Sequence, residues 1–372
     1  MQRVKRLGAA VAAAAFLALA GSASALAAGK PVFVQTDNVE HNQIVAYDRA
    51  DDGSLSQVGT YDTGGLGGKL EGSVVDHLAS QGSLTYDRAN GLLYAVNAGS
   101  DTVSVFAVFG DRLALRQVTS SGGSFPVSVA VHDGLVYVVN AEGGGFLQGY
   151  RVLGGRLSPI PGSGRELGLN PEATPQFVNT PGQVIFSPDG TQLIVTTKAN
   201  GNAVDIFGVN TLGLLTRSPV VNSLPGAVPF AATFDRQGNL LLTEAGPDAL
   251  VSFQLLGDGT IAQLDSALTG QGATCWVVAA VGRFYASNAG SGSLSAFKQE
   301  AGGQLLSLFE TASTEPGTVD AATPVSGGRF LYVQTGLNGT VDEFSIGAGG
   351  ALSPIGFVAV PGAIGGEGIV AL

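Results

Sequence analysis

Residues 92–140 read LLYAVNAGSDTVSVFAVFGDRLALRQVTSSGGSFPVSVAVHDGLVYVVN. The opening LLYAVNAG returns at Leu135–Glu142 as LVYVVNAE, so the stretch holds one structural unit and the start of the next. Within it, apolar residues alternate over the short runs LYAVN, TVSVFAV, LALRQV and PVSVAV, the period-2 pattern of half-buried strands. Aspartate before glycine in His132–Gly134 suits a hairpin turn, because glycine tolerates positive φ. Four short antiparallel strands per unit make a propeller blade.

The other copies are counted by an aromatic that closes the third run: Tyr47, Phe106, Tyr150, Phe207, Phe253, Phe297 and Phe344. The intervals are 59, 44, 57, 46, 44 and 47 residues, a period that belongs to propellers and other arrays. Seven copies predict an all-β, seven-bladed propeller. The final run GIVAL (Gly368–Leu372) matches an innermost strand, whereas PVFVQ (Pro31–Gln35) matches a second strand. The C-terminal strand is therefore expected to complete the first blade and leave no long open edge.

The chain opens with the basic MQRVKR, an apolar run of about fifteen residues and the small-residue segment ASALA. Residues 1–27 are expected to be a cleaved secretory signal peptide, too short for a membrane span, and residues 28–372 one propeller domain. A periplasmic or secreted monomer is the expectation. Without Arg3, Lys5 and Arg6 the formal charge goes from −11 to −14, which excludes nucleic acid and anionic membranes as partners. Cys275 is the single cysteine, so no internal disulfide can form and ring closure must hold the fold.

In a four-stranded blade, the loop between strands two and three shares a face with the link to the next blade. That face collects QTDNVEHN, VNAGS, VNAEGGG, TTKANGN, TEAGPD and SNAGSGS, while the short turns DRANG, HDG, SPDG and DRQG fall opposite. The two long intervals place insertions at Gly64–Gly82 and Gly162–Pro181, both on blade-to-blade links. Insertions in repeat proteins gather on the binding face, so this face is expected to bear the site.

His77, in the first insertion beside Asp76, is a candidate general base or a loop histidine bonded to its neighbour. His41 maps to the same face, and His132 to a turn on the opposite one. Lys198 and Glu244 occupy matching loop positions in adjacent blades, where other copies carry Asn97, Asn140 and Asn288. Equivalent positions are expected to converge around the central channel. A lysine beside a carboxylate there either polarises a carbonyl and activates water, or forms a salt bridge between blades. Asp320 and Glu367 enter the same rim, with Gln81 and Trp276 completing the expected substrate-binding set. No metal ligand set is assigned and no cofactor is expected; the ring of carboxylates and asparagines would suit only Ca²⁺. Asp48–Gly53 (DRADDG) lacks the spacing of a calcium loop and is expected to be a hairpin.

The repeat [LF]-Y-[AV]-x-N-A-G-S-x-x-[VL]-S-x-F, at Leu93–Phe106 and Phe284–Phe297, resembles the seven-bladed β-propeller lactonase-like family. HLASQGSL, PGQVIFSPDGTQLIVTTKA, PFAATFDRQGNLLLTEAG and ATCWVV are similar to its secreted bacterial branch. Members include 6-phosphogluconolactonases and carboxymuconate cyclases, so the resemblance implies opening of a lactone ring, or its reverse, without a redox cofactor. The His, Glu and Arg set of the muconate-type enzymes has no residue-by-residue counterpart assigned here. The VNAGS repeat also resembles YVTN-type surface propellers, which would make the chain a binding module. The expected substrate is a small, weakly charged lactone, with His77 or Glu244 as base and Lys198 or backbone N–H groups on the oxyanion. A hydrolase requires its base to line a water-accessible pocket; a scaffold predicts a plugged channel.

Overall fold

A computed structural model describes residues 30–300, 306–325 and 328–372. The expected signal peptide lies outside the described residues. Twenty-nine strands form seven antiparallel sheets, one per blade. The innermost strands of blades 1 to 7 are Ile369–Ala371, Leu84–Asp87, Pro126–His132, Gln183–Phe186, Pro229–Phe234, Thr274–Ala280 and Thr318–Ala322. Blade 3 gains a short fifth strand, Arg165–Glu166, from the second insertion.

Strand position decides burial. The second strands Leu92–Asn97 and Leu135–Asn140 lie between neighbouring blades and are buried at every residue. The outermost strand Leu55–Asp62 buries one face only and alternates accordingly. All seven aromatics of the repeat sit in third strands and are buried. Second-strand tyrosines tie blade to blade: Tyr137 donates to Gly213 O, Tyr285 to Gly350 O and Tyr332 to Gly53 O, each at 2.7 Å. Each acceptor glycine has positive φ (75°, 93° and 95°), and a Cβ on Gly53 would strike the Phe330 ring.

Ring closure follows the expectation from the C-terminal run. Ile369–Ala371 pairs with Pro31–Gln35, and Gln35 N–H donates to Gly368 O at 2.8 Å. Ile369 is 4 % exposed, so Ile369→Ala should cost about 2–3 kcal/mol. The urea midpoint would fall with the slope of the transition unchanged; an unaltered midpoint would mean that this strand does not hold the ring.

Candidate functional site

The first insertion reaches the axis of the propeller. Its end, Asp76–Ser83, lies across the central channel and bonds to four blades. Gln81 N–H donates to Gly182 O before blade 4 (3.0 Å), and Ser128 Oγ in blade 3 donates to Gln81 O (2.7 Å). The Gln81 side chain binds both polar groups of the Val277 backbone in blade 6, at 2.9 and 3.1 Å. Trp276 Nε1 donates to Ser80 O at 2.6 Å. On the blade 1 side, Glu367 accepts from Gly82 N–H (3.0 Å) and Ser80 Oγ (3.3 Å). Gln81, expected to bind substrate, is thus spent on sealing the channel.

The second insertion packs on the first. Glu71 N–H donates to Gln176 Oε1 (2.9 Å), and Gln176 N–H returns to Glu71 Oε2 (3.2 Å). Together they wall a cavity of about 430 Å³ at the mouth of the closed channel, within the range of small-molecule sites. The walls are Val74–Asp76 and Ala79 from the first insertion, Phe177 and Val178 from the second, and loop residues of blades 4, 5 and 6. Every lining loop belongs to the face that the insertions marked.

Two ionisable side chains face this cavity alongside the Cys275 thiol. Lys198 is 1 % exposed, with left-handed backbone (φ 48°) at the start of the turn Lys198–Gly201. Its Nζ donates to Ala79 O (2.6 Å), Phe177 O (2.6 Å) and Thr180 Oγ1 (3.1 Å), and stands 5.4 Å from the centre of the Phe230 ring. Burial pulls its pKa down to about 7 against the opposing pull of Asp76. Asp76 is raised to about 6 by burial, opposed by N–H bonds from the backbone of Ser80, Leu78 and Ala79 and by the Lys198 charge. Its Oδ1 accepts from Leu78 N–H at 2.7 Å and its Oδ2 from Ser80 N–H at 2.9 Å. Burial raises the Cys275 thiol to about 12, which keeps it protonated and unreactive.

The remaining candidates fall elsewhere. His77 turns away from its neighbour Asp76 and lines a separate cavity of about 480 Å³ with Asn38, Asn338 and Ile364. Its backbone N–H donates to Gly365 O (2.8 Å), its buried Nδ1 has no partner, and burial followed by Lys69 lowers its pKa. Glu244 is half-buried at the end of its strand, its pKa raised by burial, and forms no ion pair with Lys198. The cavity holds Lys198 with Asp76 in place of Glu244, and the two act on each other through their charges without a direct ion pair.

Asn97, Asn140 and Asn288 are fully buried within their own blades and line neither the Lys198 cavity nor the His77 cavity. Asn97 Nδ2 donates to Thr102 and Ser104, Asn288 Nδ2 to Ser293 and Ser295, and Asn140 Nδ2 to the Ser121 and Phe146 carbonyls. The expected convergence on the axis fails because these residues end second strands, one strand spacing of about 4.8 Å outward from the channel wall. Lysine alone is long enough to reach inward from that position.

Asp320 and Glu367 are buried carboxyls grouped with Asp37, Glu367 bonding to the plug at Ser80 and Gly82, and neither lines the Lys198 cavity. His41 is exposed; His132 packs 5.8 Å from the Phe186 ring on the opposite face. Asp48–Gly53 is a hairpin turn. Among the described residues no three His, Cys, Asp or Glu side chains are placed to hold a metal ion. None of the described helices is long and apolar enough to cross a membrane.

Among solved structures, a putative 6-phosphogluconolactonase from Bacteroides fragilis is 16 % identical and superposes with a TM-score of 0.74, covering 94 % of this chain and 99 % of that one. The periplasmic gluconolactonase of Pseudomonas aeruginosa is 18 % identical, with a TM-score of 0.71 over 92 % and 99 % of the two chains. Virginiamycin B lyase from Staphylococcus aureus is more distant: 12 % identity, a TM-score of 0.56, and 81 % and 90 % coverage. At these identities the likeness shows the fold. No curated protein matches the chain. The family model for the seven-bladed β-propeller lactonases matches residues 69–364, the whole cavity lining included, and the chain belongs to that family.

Proposed function

We propose that this propeller is an exported hydrolase that opens a small lactone in the cavity over the plugged channel. The observation that carries the reading is that Asp76 and Lys198 both line one otherwise apolar cavity built by both insertions. Asp76 is the base. Near neutrality its carboxylate takes a proton from a water molecule, and the resulting hydroxide attacks the lactone carbonyl carbon. The Lys198 charge stabilises the oxyanion through a poorly screened interior. The ring C–O bond then breaks, and Asp76 returns its proton to the departing alkoxide, giving the hydroxy acid.

The charge states set the pH dependence. Asp76 must be ionised and Lys198 protonated, so turnover should rise through about pH 6 and fall above about pH 7. The experiment is a lactone hydrolysis screen of the mature protein, followed by Asp76→Asn, which keeps the shape and removes the base. Turnover should drop by at least about a hundredfold. Loss of turnover in His77→Ala with activity kept in Asp76→Asn would move the reaction to the His77 cavity.

A ligand-binding propeller without turnover is the second reading. What favours it is the plugged channel, the outcome expected of a scaffold, and that all three ammonium protons of Lys198 are already accepted by protein oxygens. Absence of hydrolysis on any lactone, with saturable binding at the cavity, would establish it.

A further inference from the structure

The substrate class follows from what the cavity lacks. Its lining is aliphatic and aromatic apart from Asp76, Lys198 and Cys275. A bound phosphate or carboxylate needs N–H donors, and an ionic group buried without them carries a desolvation cost of several kcal/mol. The cavity's one cation has none to give. The three hydrogens of Lys198 go to Ala79 O, Phe177 O and Thr180 Oγ1, which consumes the whole capacity of an ammonium. Asp76, ionised above about pH 6, would add repulsion of any anion.

The walls do offer apolar surface for a flat ring. Phe230 and Trp276 stand with ring centres 4.8 Å apart and tilted by 60°, and Phe177 faces the cavity from the second insertion. Burying an apolar ligand body against them gains about 25 cal/mol per Å².

Building on the lactonase reading, we propose that the cavity takes an uncharged lactone with an apolar body, of the alkyl- or aryl-substituted kind. Phosphorylated and carboxylated lactones are excluded. This sets the chain apart from the phosphorylated substrate named for its Bacteroides neighbour.

Trp276 makes the test direct, since it is the single tryptophan of the chain and lines the cavity, so intrinsic fluorescence reports this site. The probe is 3,4-dihydro-2-quinolinone, a lactam that mimics an aryl lactone and is not readily hydrolysed. It should change the emission saturably with Kd at or below about 1 mM, while 6-phosphogluconolactone changes nothing at tenfold higher concentration. Ala245→Phe, which fills the cavity from its wall, should weaken lactam binding by about tenfold or more in a protein whose near-ultraviolet dichroism is unchanged. Ala289→Leu serves the same purpose from blade 6 if the phenylalanine disturbs folding.

Binding of the phosphorylated lactone as tightly as the lactam would overturn the proposal, as would lactam affinity untouched by both filled variants. Hydrolysis of the phosphorylated lactone alone would overturn it too, while leaving the lactonase reading in place. Lactam binding without hydrolysis of the matching aryl lactone would uphold the ligand class and remove the lactonase reading.

Discussion

Lys198→Met should lose about 3–5 kcal/mol of folding stability and most of any turnover. The side chain ties three parts of the structure together: the channel plug at Ala79, the second insertion at Phe177 and Thr180, and its own blade-4 loop. Methionine fills nearly the same volume, so the loss is polar rather than steric. Two buried carbonyls and a hydroxyl would be left without a donor, each at about 1–3 kcal/mol. Relief from holding a cation in the interior returns part of that sum. Thermal unfolding of a chain this long would shift by at least about 5 °C.

A merely structural role would move stability alone. The present account also requires the acidic limb of the pH–rate profile to rise above about pH 6, because the Lys198 charge holds down the pKa of Asp76. A limb unmoved in the variant would mean that Asp76 is not the base. An unchanged melting temperature would mean that Lys198 does not secure the insertions.

The second large effect is a loss of stability toward alkaline pH, which runs against the usual behaviour of carboxylates. Asp37, Asp320, Glu367 and Asp76 gather around the plug, and burial raises the pKa of each. The values are about 8 for Asp37, about 7 for Asp320 and about 6 for Asp76. After its own burial, the neighbouring Asp320 charge is the largest influence raising the Glu367 carboxyl. Asp205 and Asp342, each raised by burial to about 6, act in the same direction.

Because these folded-state values lie above the unfolded ones, the folded chain binds more protons between about pH 4 and pH 8, and stability must fall as pH rises through that window. Lys198 works in the opposite sense. Its pKa is depressed from 10.5 to about 7, so its penalty is relieved only as pH rises above 7, and it offsets the carboxylates in the last part of the window. Urea unfolding should show stability falling steadily from pH 5 to pH 8. Asp320→Asn, already neutral, should flatten the curve and be the more stable protein at pH 8. A wild-type curve that is flat or rises over this range would contradict the buried cluster.

The architecture was legible because each of its determinants is local and repeated. Tyr47 through Phe344 mark one buried third-strand position seven times, and Gly368–Leu372 shows its match to an inner strand within five residues. The face that carries the cavity was legible as well, since two links longer than the rest identify it and both insertions wall the cavity. What the insertions do there was not. Asp76 and His77 are neighbours in the chain, yet in the irregular insertion one lines the Lys198 cavity and the other a different one.

The asparagines show a different limit. Repetition told which loop positions are equivalent, but not how far from the axis they lie, so Asn97, Asn140 and Asn288 were placed too far inward. The Asp37–Glu367 contact, 2.7 Å from backbone N–H to carboxylate, joins residues 330 positions apart, and no local pattern announces it.

The most direct test of the central claim is a crystal structure of the protein soaked with 3,4-dihydro-2-quinolinone. The account predicts density for the ring against Phe230 and Trp276, with the lactam carbonyl directed toward the Asp76 and Lys198 side of the cavity. Density in the His77 cavity, or in the hollow beside Asp235 and Arg283 on the opposite face, with the Lys198 cavity left clear, would contradict it.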